Sequence, residues 1–108
     1  PLYSCHHSAM NFFADVPDPR FVREHEIEPA LREGYELLPS EAAPRLGDVV
    51  TLERGDGVVV HSMTYIAADI VFTKNGRWHH APWIFSRLRD VVAVYADGHL
   101  SERRYRRR

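Results

Sequence analysis

The stretch that most constrains the fold of this chain runs from Asp48 to Lys74 and reads DVVTLERGDGVVVHSMTYIAADIVFTK. Its β-branched and aromatic runs fit a pleated, half-buried surface. The segments between them, ERGDG and AAD, carry turn residues at hairpin spacing. Three consecutive antiparallel strands are therefore predicted: DVVTL, GVVVHSMTYI and IVFTK, the last ended by Asn75-Gly76.

The N-terminal part has a different period. Ser4 is a candidate N-cap, and Ala9, Met10, Phe12 and Phe13 give an apolar stripe to about Ala14, where DVPDP breaks the pattern. A second helical region lies between Phe21 and Glu33, interrupted or restarted at Pro29 and stopped by Gly34. Its polar face predicts a surface position. YELLP reads as a short extended segment, SEAAPRL as a loop, APWIFSRL as a helical or irregular connection, and DVVAVYADGHLSERRY as a final hairpin around Asp97-Gly98. Helices first and strands after make an α+β fold with an antiparallel sheet of four to five strands. At 108 residues the chain forms one domain, residues 1–108, able to bury a modest core without metal or disulfide.

The net charge of −1 hides an acidic stretch, Asp15 to Glu36, and a basic C-terminal tail, RRYRRR at 103–108. Tyr105 is the tail's one aromatic, and a short basic run without interleaved aromatics argues against a nucleic-acid surface. A solvated or terminal-strand segment is expected there. No apolar run approaches the roughly 18 residues that a membrane span needs. No cofactor is implied.

Cys5 is the only cysteine, so it forms no bridge within the chain. In the first turn of a helix it would feel the positive end of the macrodipole and unpaired N–H groups, both of which favour the thiolate. A small buried hydrophobe is the other reading of a lone cysteine. Of seven histidines, His61 stands apart because it interrupts an apolar strand, where a polar ring needs a partner. It is either a core histidine bonded to backbone or a base held by the sheet and facing the helix that carries Cys5. A three-residue loop at Ala67, Ala68 and Asp69 sets Ile66 opposite Ile70 and His61 opposite Asn75. An amide at Asn75 would fix the imidazole tautomer. Thr73 projects from the same face one pleat away.

The order Cys5, LGDVV at Leu46–Val50, HSMTYI at His61–Ile66, then FTKNG resembles the papain-like cysteine hydrolases, and within them the NlpC-type cell-wall peptidases and amidases. The resemblance runs from Tyr3 to about Tyr95. It implies a papain-like core, with the cysteine helix packed on the sheet, and a triad of Cys5, His61 and Asn75. It also implies a peptide or amide substrate, peptidoglycan among the candidates, and a periplasmic or extracellular bacterial setting. The chain departs from the NlpC signature in having Ser4 before the cysteine and His6 and His7 after it, and in placing Thr73 nearest the third, usually histidine, position.

The mechanism expected is amide hydrolysis through a thioester on Cys5, with the Cys5 N–H as one oxyanion donor. Tyr3, Trp78 and Trp83 are candidates to line the substrate cleft. The alternatives are a catalytically silent binding module of the same fold and an acyltransferase using the same cysteine. A zinc site from Cys5, His6, His7, His79 and His80 lacks the usual ligand spacing. The RGD tripeptide at Arg54–Asp56 reads as turn chemistry.

Overall fold

The computed structural model describes residue 9 and residues 27–74, 83–95 and 99–108. Six strands form one antiparallel sheet in the order β1-β6-β2-β3-β4-β5. They are β1 (Tyr35–Leu37), β2 (Val49–Glu53), β3 (Val59–Ala67), β4 (Ile70–Lys74), β5 (Trp83–Arg87) and β6 (Ser101–Arg107). Helix α1 (Ile27–Gly34) precedes the sheet, and α2 (Leu88–Val94) lies between β5 and β6. The α+β class is as the sequence predicts, but the sheet has six strands rather than four or five.

The extra width comes from two segments read otherwise. WIFSR, expected as a connection, is edge strand β5, paired with β4 from Ile70↔Arg87 to Lys74↔Trp83. DVVAV, expected as strand, is helical. Leu88, Val91, Val92 and Tyr95 recur at i, i+3, i+4 and i+7 and join Val50, Leu52, Met63 and Val71 in one core cluster. Burying that stripe outweighs the modest helix penalty of valine.

Helix α1 is likewise less superficial than its composition suggests. Ile27, Ala30 and Leu31 are buried with Tyr35, Val49 and Val59 in a second cluster, which Tyr105 flanks. Pro29 sits in the first turn, where its missing N–H breaks no helical bond. The Gly34 carbonyl accepts from the N–H of Arg108.

Because paired residues share a face, the sheet divides cleanly. One face carries Tyr35, Val49, Thr51, Glu53 and Tyr105 under α1; the other carries Val50, Leu52, His61, Met63, Val71 and Thr73 under α2. Ala9 is helical, 3% exposed, and belongs to the α1-side cluster.

The arginine-rich end is not a free tail. It is β6, paired to β1 on one side and β2 on the other. Arg104 donates to the carbonyls of Ala42 and Ser40, and Arg106 to that of Ala43. These bonds hold the 38–47 loop against the sheet. Gly47 turns that loop into β2 at φ 92°, a left-handed value that glycine adopts without penalty.

Candidate functional site

His61 enters the site from the middle of β3, opposite Leu52. Only 1% of it is exposed, and Thr73 on β4 is fully buried. His61 Nε2 lies 2.8 Å from Thr73 Oγ1. The ring stacks on Tyr95, just past the end of α2, with centroids 4.6 Å apart and planes at 27°. Strand, neighbouring strand and helix end thus each contribute one side chain to a single buried constellation.

The pairing explains why Thr73 is within reach. Tyr65 faces Val71 and Thr64 faces Phe72, the pairs that the predicted loop implies. The turn itself is different. Ala67 pairs with Ile70, the connection is Ala68–Asp69, and an irregularity between Tyr65 and Ala67 absorbs the extra residue. Ala68 takes φ 52° there, and its carbonyl accepts from the Tyr65 hydroxyl. Thr73 sits diagonally from His61 on the same face, a distance that a ring and a hydroxyl can bridge.

Chemically, the Thr73 bond discriminates between the two ring nitrogens. With the proton on Nε2 and donated to Thr73 Oγ1, the imidazole lone pair is on Nδ1. The Thr73 hydroxyl can also donate to Nε2, in which case Nδ1 carries the proton. Tyr95 packs on the ring plane and restricts its rotation.

Of the other expected site residues, Cys5, Asn75, Tyr3 and Trp78 lie outside the described residues, as do His6, His7, His79 and His80. Trp83 opens β5 opposite Lys74. Ala9, four positions after Cys5, packs on the α1 side, whereas His61 faces α2. Among the described residues His61 therefore faces α2 and not the helical segment at Ala9. No group of three His, Cys, Asp or Glu side chains suited to a metal ion occurs among them.

Two neighbouring features bear on the sequence motifs. In LGDVV, Asp48 is 2% exposed. Its carboxylate accepts from the Arg45 N–H at 2.8 Å and from Arg106 Nε and Nη2 at 2.9 Å each. Burial opposes its charge, but the bonds from Arg106 and Arg45 and the charges of Arg106 and Arg104 prevail and hold the carboxyl below its ordinary range. The motif thus anchors the start of β2. In RGD, Arg54 Nη2 and Asp56 Oδ2 are 2.9 Å apart, so the tripeptide closes on itself as a turn.

Tyr95 was invisible to residue-type reasoning, since it sat in a predicted hairpin. The i, i+3, i+4, i+7 stripe beginning at Leu88 was the signal that places it. No family model, no curated protein and no solved structure matches the chain.

Proposed function

We propose that the chain is a cysteine hydrolase that cleaves an amide bond, in a peptide or a cell-wall peptide, through a thioester on Cys5. The observation that carries the reading is the buried His61–Thr73 bond, which orients an imidazole in the core of a strand. His61 Nδ1 takes the Cys5 thiol proton, and the thiolate adds to the amide carbon. The tetrahedral intermediate collapses as Nδ1–H protonates the departing amine. Water, deprotonated by the same nitrogen, then releases the acid and returns the thiol. Thr73 is the orienting group in this scheme.

A second reading is a catalytically silent binding module. The side on which Ala9 packs favours it, because catalysis requires Cys5 Sγ at the His61 ring.

Intact-protein mass spectrometry after exposure to muropeptides, acyl-amides and esters separates the two. A Cys5 thioester that is absent from Cys5→Ala and His61→Ala supports the hydrolase. An adduct discharged only by an added amine makes the chain an acyltransferase. A folded protein that retains peptide and forms no adduct is the silent module.

A further inference from the structure

On the α1 side, away from His61, lies a pocket of about 510 Å³, within the range of small-molecule sites. Its deepest charged group is Glu53, 8% exposed, at the end of β2. Glu53 Oε2 accepts from the hydroxyls of Thr51 and Tyr105. Among the described residues its Oε1 is ion-paired with Arg103 Nε at 3.6 Å, longer than a hydrogen bond and through a half-exposed side chain. Glu28, in the first turn of α1, accepts from the Val59 N–H through Oε1. Among the described residues nothing donates to its Oε2.

The inner end therefore offers acceptors whose local donors are already spent. Burial, and after it the hydroxyl's own bond to Glu53, push Tyr105 up to about 12, so it stays protonated and donates to the carboxylate. Three donors and no acceptor is the inventory of an ammonium group. The aromatic walls, Tyr35 and Tyr105, suit a cation as well. At the rim the signs reverse. Arg32 and Arg108 are exposed, and Arg108 uses Nε on the Tyr35 carbonyl, with its terminal nitrogens left to meet an anion.

We propose that this pocket binds a zwitterion bearing a free α-amine, amine inward against Glu53 and Glu28 and carboxylate toward Arg32 and Arg108. Two sources share that chemistry, a free amino acid and a short peptide with an unblocked N-terminus. The site is separate from His61 and does not depend on hydrolysis.

The test is NMR titration of the full chain carrying Cys5→Ala, which removes any turnover, with trialanine, N-acetyl-trialanine, trialanine amide and alanine. Trialanine shifts resonances of α1, β2 and β6, N-acetylation weakens binding at least about tenfold, and amidation weakens it less. Alanine binding as well as trialanine identifies a free amino acid as the ligand; much weaker alanine binding identifies a peptide end. Glu53→Gln lowers affinity about tenfold. Because Glu53 also holds Thr51 and Tyr105, Glu28→Gln provides the same readout should that variant not fold. Equal binding of the acetylated peptide, unchanged affinity in the folded glutamine variants, or no binding of any amine tighter than about 1 mM overturns the proposal.

Discussion

Replacing Thr73 with valine removes one hydroxyl from a fully buried position and keeps the shape of the side chain. The hydroxyl is 2.8 Å from His61 Nε2, and neither residue has access to bulk water. Leaving the ring nitrogen without its partner costs about 1–3 kcal/mol, and the added methyl returns up to about 0.8 kcal/mol of apolar burial. The net loss is about 0.2–2 kcal/mol, centred near 1 kcal/mol. With a urea m-value of about 1.5 kcal/mol/M for a small domain, the unfolding midpoint falls by about 0.7 M. Nitrogen-15 shifts of the imidazole report in parallel on the tautomer, whose balance changes once Nε2 loses the hydroxyl. Thr73→Ser retains the hydroxyl and leaves the tautomer unchanged, although it loses a methyl. If the chain hydrolyses amides, Thr73→Val also lowers kcat/KM by about ten- to a hundredfold, as expected for a group that orients a base without exchanging protons itself. A midpoint shift below about 0.3 M, together with an unchanged tautomer, would refute the assignment of Thr73 as the residue that orients His61.

Asp48 has a folded pKa below its unfolded value, so its contribution is complete above about pH 4 and is lost as the pH falls through the folded value; Asp48→Asn lowers the urea midpoint at neutral pH and flattens its fall between pH 5 and 2. Tyr105, held at about 12, contributes stability that is complete below pH 10 and lost as the pH rises through 12. An ultraviolet titration finds both Tyr35 and Tyr105 among the late-ionising members of the five tyrosines, and Glu53→Gln brings Tyr105 earlier. Ala68 sits at φ 52° in the β3–β4 turn; Ala68→Gly relieves that conformation, and thermal melts show a gain of up to about 1 kcal/mol.

The hairpins were legible because their signals are local. Alternation gave β2, β3 and β4, and the turn residues set the pairing that puts Tyr65 opposite Val71. The partner of His61 was half legible. Counting along a ladder points to Asn75, which lies outside the described residues, whereas the bond to Thr73 runs on the diagonal, where side-chain reach and not register decides. Helix α2 was hidden by its valines, whose strand preference is overridden by packing on Leu52 and Val71. Nothing local announces that residues 101–107 insert between β1 and β2. Insertion is a long-range choice, and arginine content argues for solvent until its partners are known. Those partners are Asp48, Glu53 and loop carbonyls, all more than forty positions away in sequence.

Strand β6 also couples the two faces on which the candidate sites lie. Its alternate residues point to opposite sides. Arg103 and Tyr105 meet Glu53 on the α1 side, and Arg104 and Arg106 tie the 38–47 loop and Asp48 to the rest of the sheet. Without β6, β1 would have no neighbour, β2 would become an edge, and the buried carboxylates of Asp48 and Glu53 would lose their charged partners. An uncompensated buried charge costs more than a missing contact. Damage to β6 therefore reaches the amine pocket directly and the His61 constellation through β2, which pairs Leu52 with His61. Substitutions in α2, by contrast, act on the His61 side alone, since Leu88, Val91 and Tyr95 touch only that face. The arginines of the basic C-terminal segment thus tie β1 and the 38–47 loop to the sheet through β6, which is last in sequence and second from the edge.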